Sequence, residues 1–181
     1  MSEAGRIRRV VVAGPEAVGK STLAQQLAAR LGVPMSEEYA RSYAERVQRP
    51  LTAADVEPIA RGQIEGETGT EQHALATRAP LIVLDTDLVS TVVYATHYYG
   101  ACPDWILRAA RERRADLYLL LAPDLPWIPD GIRDQPENRE GMHQSFRQWL
   151  QRLHAHVVEI EGTGAERLEQ ALRAVQEELP V

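Results

Sequence analysis

A glycine-rich segment near the start of the sequence carries the clearest chemistry. Residues 14–21 read GPEAVGKS and satisfy the pattern G-x-x-x-x-G-K-[ST] of a phosphate-binding loop. The glycines allow successive backbone N–H groups to point at phosphate oxygens, and the following helix adds the positive end of its dipole. We expect Lys20 to reach the β- and γ-phosphates of ATP and Ser21 to ligate Mg²⁺. The predicted cofactor-binding residues of this loop are Gly14, Pro15, Glu16, Ala17, Val18, Gly19, Lys20, Ser21 and Thr22.

Two aspartates follow an apolar run farther along the chain. Asp85 comes directly after the run 81–84, and Asp87 lies two positions later. A carboxylate at the end of a buried strand, opposite the phosphate loop, can hold Mg²⁺ directly or through water. We therefore predict that Asp85 is a catalytic metal ligand and that Asp87 contacts a substrate hydroxyl or supports the metal site. The alternative is that an aspartate here only caps the next helix.

An acidic and aromatic cluster, residues 37–41 (EEYAR), follows a second short strand. In a P-loop kinase this position faces the acceptor substrate. A carboxylate there can accept the proton of an attacking hydroxyl, so Glu38 is the predicted base. Tyr39 is predicted to stack on an aromatic ring of the substrate, and Arg41 to bind a phosphate or carboxylate. The alternative for all three is a solvated helix start, where acidic residues are favoured.

A proline-rich and charged stretch, about residues 122–140, resembles a lid over a transfer site. Phosphoryl transfer gains from a guanidinium near the transferring group. Arg133 is therefore predicted to be catalytic and Arg139 to bind the nucleotide. Trp127 is predicted to contact the substrate, the alternative being that it docks on the core.

Short apolar strands alternate with helical patterns along the whole chain. This alternation predicts a parallel sheet of five strands with helices on both faces, a single three-layer α/β domain of P-loop NTPase fold over residues 1–181. Three glycines leave open a break in the long helix predicted over 52–77, and the basic run 111–114 is expected to be a solvated helix end. Strands are expected at 7–13, 33–37, 81–84, 117–121 and 157–160, and the other helices at 21–31, 39–46, 88–100, 104–113, 142–153 and from 164 onward.

Composition excludes several other classes of protein. The formal net charge of −6 argues against sequence-independent binding of nucleic acid. The single cysteine, Cys102, excludes a disulfide within the chain. No apolar stretch reaches the length of a membrane span or a signal peptide, so a cytoplasmic protein with a small-molecule partner is expected. The sequence carries no signal for an oligomeric state.

The order of these motifs is more specific than any one of them. GPEAVGKS, EEYAR, LDTD and then DLYLLLAPDLPWIPDGIRD resemble, over about residues 6–178, the ribosylnicotinamide kinase domain of the bacterial bifunctional NAD-biosynthesis regulator family. The resemblance implies a stand-alone kinase domain that uses ATP and Mg²⁺ to phosphorylate the 5′-hydroxyl of nicotinamide riboside. It also implies that Lys20 and Ser21 bind ATP–Mg²⁺, that Arg133 closes on the phosphates, and that Glu38, Tyr39 and Asp87 lie on the nucleoside side.

One departure from the family lies in the phosphate loop, where Ala17 and Val18 stand in place of two serines that the family often has. This departure should have little effect on phosphate binding, because backbone N–H groups make the contacts with the phosphates. Two other functions stay open: another nucleoside or nucleotide kinase on the same scaffold, and a regulatory ATPase that signals to a partner. The lid-like stretch favours a kinase.

Overall fold

The sheet at the centre of the protein is parallel throughout. The structure, a computed structural model, describes residues 6–124 and 138–179. Its five strands run in the order β2-β3-β1-β4-β5, and the predicted parallel sheet of five strands is confirmed. The central strands are apolar on both faces because helices cover both. The strands are β1 (Arg8–Ala13), β2 (Met35–Ser36), β3 (Leu81–Asp85), β4 (Leu117–Leu121) and β5 (Val157–Ile160).

Helices form the two outer layers. One core lies between the sheet and helices α1 and α7, and another between the sheet and helices α4 and α6. Within the described residues, no helix is both long and apolar enough to cross a membrane. The helices are α1 (Lys20–Leu31), α2 (Tyr39–Val47), α3 (Val56–Thr77), α4 (Leu88–Tyr99), α5 (Asp104–Glu112), α6 (Arg139–Arg152) and α7 (Gly164–Glu178), and a 3₁₀ turn (Ala53–Asp55) precedes α3.

Helix α3 is continuous in spite of its three glycines, so the break that they suggested does not occur. Gly62 is buried where α3 meets the start of α2. A Cβ atom at this position would stand 2.1 Å from the ring of Tyr39. Gly69, by contrast, is exposed and has no atom within 4 Å of the position a Cβ would take. One glycine is therefore needed for close helix packing, and the other only lowers the intrinsic stability of the helix.

A buried polar network attaches α3 to the sheet. Arg9 of β1 forms an ion pair with Glu67 of α3, whose side chain is fully buried. Arg113, which follows α5, lies 3.3 Å from the same carboxylate, and its carbonyl accepts a hydrogen bond of 2.8 Å from Arg9. Arg114 donates to the carbonyl of Leu153 at 2.6 Å. The interpretation of residues 111–114 as a solvated helix end is therefore wrong for Arg113, which is partly buried against Glu67, whereas Arg114 is exposed as expected.

The two glycines of α3 give a matched pair of substitutions. Gly62→Ala should lower the free energy of unfolding by about 1–3 kcal/mol, because its methyl group collides with the Tyr39 ring. Gly69→Ala should leave that free energy unchanged or raise it by up to about 1 kcal/mol, because alanine favours the helix and nothing obstructs it. Urea unfolding followed by circular dichroism measures both changes. Equal effects of the two substitutions would contradict the close packing of α2 on Gly62.

Candidate active site

The phosphate loop joins β1 to α1, as the sequence predicts. Gly14 has φ 141° and Gly19 has φ 85°, conformations that favour glycine. A Cβ at Gly14 would also stand 3.0 Å from the carbonyl oxygen of Leu121. Ala17 adopts φ 55°, a left-handed conformation that costs free energy for a residue with a side chain. Lys20 begins α1, and its ammonium group donates to the carbonyl of Pro15 at 2.6 Å, so it lies over the loop.

Asp85 lies at the end of β3, against the start of α1. It is buried, and it accepts a hydrogen bond from the Ser21 side chain. Burial raises the pKa of Asp85, and the Ser21 hydrogen bond and the charge of Lys20 oppose that rise. Its Oδ1 atom is buried without a hydrogen-bond partner in residues 6–124 and 138–179. These features fit a metal ligand.

Mg²⁺ suits this pair of side chains. Mg²⁺ prefers hard oxygen ligands and is often held by one or two protein groups together with substrate phosphates and water. The Ser21 hydroxyl and the Asp85 carboxylate are two such ligands on neighbouring elements. Groups of three or more carboxylate, histidine or cysteine side chains able to hold a metal are absent from the described part of the chain.

Two residues of the EEYAR cluster approach Asp85. The charge of Glu38 raises the pKa of Asp85 and the charge of Arg41 lowers it, so both side chains are within electrostatic range. Glu38 also lines a cavity beside the phosphate loop. The structure thus gathers Lys20, Glu38, Arg41 and Asp85 in one region, although they come from three separate segments of sequence.

Tyr39 and Asp87 do not lie at the substrate-side positions that the sequence predicts for them. The Tyr39 ring packs on Gly62 of α3, and its hydroxyl accepts from Arg46 at 3.1 Å, so it serves the contact between helices and is not part of the cavity lining. Asp87 caps α4 by accepting from the Val89 N–H at 2.9 Å.

The second oxygen of Asp87 is also engaged within the protein, because it accepts from the Tyr118 hydroxyl at 2.7 Å. Burial raises the pKa of Asp87 to about 6, and the charge of Glu67 adds to the rise. The structure does not bring Asp87 to the cavity. Its geometry agrees with the alternative of a helix cap.

A cavity of about 310 Å³ is large enough for a small ligand, and it lies close to the phosphate loop because one of its lining residues, Tyr98, contacts Glu16 of that loop. One wall consists of α4 residues at helical spacing, and the opposite wall comes from the segment 50–63. Three tyrosines of this lining, Tyr94, Tyr98 and Tyr99, were not predicted. The available signal was spacing: Tyr94 lies four residues after Ser90, and Tyr98 and Tyr99 lie four and five residues after Tyr94, which places hydroxyl-bearing side chains on one helix face. The lining residues are Glu38, Ala40, Pro50, Leu51, Thr52, Val56, Ile59, Gln63, Thr86, Ser90, Thr91, Tyr94, Ala95, Tyr98 and Tyr99.

Two arginines contact the phosphate loop from the far end of the chain. Arg139, the first residue of α6, is buried and donates to the Ala17 carbonyl at 3.4 Å, a position beside the loop that suits its predicted role in nucleotide binding. Arg167 of α7, which sequence reasoning missed, donates to the carbonyls of Val18 and, at 2.9 Å, Ala122. An arginine in an amphipathic helix gives no local sign of such a role. Trp127 and Arg133 lie outside the described residues, and their predicted roles stay predictions.

Comparison with known proteins shows the family of the chain and its fold. The sequence matches the AAA domain family over residues 9–167. The trifunctional NAD biosynthesis/regulator protein NadR of Salmonella typhimurium is 30% identical over 131 residues, which cover 70% of this chain and 31% of NadR. The chain therefore spans about a third of the length of this relative.

Two solved structures show the same fold. The crystal structure of NadR protein in complex with NR is 28% identical, with a TM-score of 0.76, and the match covers 97% of this chain and 52% of that one. Thymidylate kinase from Ehrlichia chaffeensis is 14% identical, with a TM-score of 0.68 and coverage of 95% and 98%, a likeness of fold alone. The fold is thus that of P-loop kinases, as the sequence predicts.

The position of Asp85 predicts a specific metal dependence. Asp85→Asn should raise the Mg²⁺ concentration needed for half-maximal ATP binding roughly tenfold, because it removes a charged ligand without changing its size. Titration of a fluorescent ATP analogue at several Mg²⁺ concentrations measures the shift. Asp104→Asn is the matched control, since it removes an exposed carboxylate at the start of α5, outside the cavity. An unchanged Mg²⁺ requirement in Asp85→Asn would rule out a role as metal ligand.

Proposed function

The chain belongs to the AAA domain family, and from this premise we propose that it is an ATP-dependent kinase that phosphorylates the 5′-hydroxyl of a nucleoside. Nicotinamide riboside, giving nicotinamide mononucleotide, is the acceptor that we propose first. The proposal rests on the architecture of the site, on the sequence resemblance and on the NadR relatives, one of which was solved with NR.

The observation that carries the proposal is the cavity beside the phosphate loop. A protein that only binds and hydrolyses ATP needs the loop and a metal ligand, but it does not need a second enclosed site for a small molecule. Here a mostly apolar cavity reaches the loop through Tyr98, which contacts Glu16, and a carboxylate, Glu38, lines it within electrostatic range of Asp85. Such a pair of adjoining sites suits a transfer from one bound molecule to another.

Each side chain has a distinct part in the proposed transfer. The phosphate loop and Lys20 hold the phosphates of ATP, and Ser21 and Asp85 hold Mg²⁺, which neutralises charge on the phosphate oxygens when it is bound. Glu38 orients the acceptor hydroxyl and takes its proton. Arg133 is proposed to act on the transferring phosphoryl group, where charge develops.

The tyrosines of the cavity bear on which nucleoside fits. Nicotinamide in its riboside is a cationic ring, and cations are attracted to the faces of aromatic rings. Tyr94, Tyr98 and Tyr99 supply three rings in the lining, and Glu38 supplies a negative charge. These residues provide an aromatic surface in place of Tyr39, and the predicted role of Trp127 stays a prediction. The combination favours a positively charged base over a neutral one.

A substrate comparison tests the proposal. Nicotinamide riboside should be phosphorylated with a higher kcat/KM than uridine, cytidine, thymidine or adenosine, because only its base carries a positive charge. Coupled measurement of ADP, with product identified by mass spectrometry, gives the ranking. Lys20→Ala is the control, and a folded Lys20→Ala protein should lose turnover with every nucleoside. A clear preference for another nucleoside would point to the alternative of a different nucleoside kinase, and ATP turnover that no acceptor stimulates would favour the regulatory ATPase.

The proposed role of Glu38 predicts a change in rate and not in metal dependence. Glu38→Gln should lower kcat by about a hundredfold, the usual contribution of a positioned base, and leave the Mg²⁺ requirement as it is. Steady-state kinetics at several Mg²⁺ concentrations separates the two effects. Glu37→Gln is the matched control, because Glu37 is the exposed neighbour and does not line the cavity. If Glu38→Gln is nearly silent while Asp85→Asn is inactive at every Mg²⁺ concentration, Asp85 is the better candidate base.

A further inference from the structure

One wall of the cavity is in direct contact with the phosphate loop. The hydroxyl of Tyr98, in the last turn of α4, donates a hydrogen bond of 3.2 Å to Oε1 of Glu16. Glu16 is a buried residue of the loop, and Tyr98 is 38% exposed and lines the cavity. The contact joins residues that are 82 positions apart in sequence. It connects the place where an acceptor would bind to the place where phosphates would bind.

Helix α4 carries a row of side chains that links the cavity to Tyr98. Ser90, Tyr94 and Tyr98 follow one another at spacings of four residues, so they form a single row along the cavity wall. The rings of Tyr94 and Tyr98 are nearly parallel, at 5°, with centroids 6.2 Å apart. The ring of His97 meets that of Tyr98 edge-on at 4.8 Å. The Tyr98 ring therefore has two neighbouring rings, and one of them, Tyr94, also lines the cavity.

The part of the loop that Tyr98 contacts is conformationally strained. Glu16 directly precedes Ala17, whose φ of 55° is a left-handed conformation in a residue with a side chain. Such a conformation persists only where neighbouring contacts hold it. The Ala17 carbonyl accepts from Arg139 on one side, and Glu16 accepts from Tyr98 on the other. Loss of the Tyr98 contact would remove one of these supports from the segment that receives the phosphates.

We propose that Tyr98 is a positioning residue that couples occupancy of the cavity to the conformation of the phosphate loop through Glu16, an inference that rests on the proposed nucleoside-binding function. An acceptor packed against the tyrosines restricts the Tyr98 ring to the orientation that reaches Glu16. A loop held in this way binds phosphates in the geometry for transfer. Nucleoside and ATP should therefore each raise the affinity of the protein for the other, because such a coupling is reciprocal.

The coupling is measured by calorimetry with nicotinamide riboside as the probe. Its affinity is determined for the whole protein with and without a saturating non-hydrolysable ATP analogue, and the ratio of the two dissociation constants is the coupling factor. In the wild type this factor should be about tenfold, the equivalent of one hydrogen bond to a charged group. Tyr98→Phe keeps the ring and removes the hydroxyl, and it should bring the factor close to one.

A neighbouring tyrosine provides the matched control. Tyr99→Phe removes a hydroxyl from the same cavity lining. It should change nucleoside affinity by the same factor with and without the analogue, so the coupling factor should stay at the wild-type value. Loss of coupling in both variants would mean that the cavity as a whole, and not Tyr98, carries the effect, and it would overturn the proposal.

Substitutions at Glu16 test the other end of the contact. Glu16→Ala should abolish the coupling as Tyr98→Phe does, and the double variant should be no worse than either single one, because the two changes remove the same interaction. Glu16→Gln retains an oxygen that can accept from Tyr98, and it should keep most of the coupling. Independent, additive effects of Tyr98→Phe and Glu16→Ala would overturn the proposal.

A kinetic measurement separates positioning from a merely structural role. Tyr98→Phe should lower kcat for nucleoside phosphorylation about tenfold and raise the amount of ADP formed per phosphorylated nucleoside, since the loop no longer responds to the acceptor. Wild-type coupling and an unchanged ADP ratio in Tyr98→Phe would overturn this inference alone. A wild-type protein that neither binds nor phosphorylates a nucleoside would overturn the proposed function, and this inference with it.

Discussion

The buried ion pair between Arg9 and Glu67 is the interaction on which the geometry of the site depends. Glu67 is fully buried in α3, and its charge is balanced by Arg9 from the central strand and by Arg113 at 3.3 Å. Removing one member of a buried pair leaves an uncompensated charge and costs about 3–5 kcal/mol. Gln63, one turn earlier in α3, donates to Glu67 at 3.2 Å and accepts from the Tyr39 N–H at 3.1 Å. The ion pair therefore fixes α3 on the sheet, and α3 in turn fixes the start of α2, next to Glu38.

The other side of the site has a different support. Arg167 of α7 binds the carbonyl of Val18 in the phosphate loop and also contacts Ala122 and Asp124, which follow β4. Asp124 in turn accepts from the Gly162 N–H at 2.7 Å, which ties the end of β4 to the turn before α7. Charged side chains thus stabilise the site from both faces of a sheet that is otherwise apolar. Backbone carbonyls with such partners have fewer alternative conformations, which suits a loop whose N–H groups must point at phosphates.

A feature of this protein could be predicted from the sequence when the residues that determine it lie close together in the chain. The strands at 117–121 and 157–160 and the phosphate loop were predicted because their residues are adjacent and their patterns are complete within a few positions. The Arg9–Glu67 pair spans 58 positions and the Arg167–Val18 contact spans 149, so no local sequence pattern predicts either contact. From the sequence alone, a charged residue that the fold buries cannot be distinguished from one that stays exposed until its partner is known.

The cavity residues Tyr94 and Tyr98, together with Tyr39, show the same limit of sequence-based prediction on the side of the site where an acceptor would bind. Tyr39 follows a carboxylate and suggested a stacking residue, but Gly62 leaves room for its ring against α3, and the ring is used there. Tyr94 and Tyr98 lie on a helix that looks like core from its apolar composition, although the face that carries them borders the cavity. The packing of α2 on α3 holds the Tyr39 ring away from the cavity lining, and neither segment predicts that contact alone.

The two carboxylates of the site, Asp85 and Glu38, repel each other electrostatically. Asp85 is buried, and both its desolvation and the charge of Glu38 raise its pKa, whereas the Ser21 hydrogen bond and the charges of Lys20 and Arg41 lower it. A divalent cation against Asp85 would favour its ionised form, because a bound cation reverses the local balance of charge. It would also weaken the repulsion between Asp85 and Glu38.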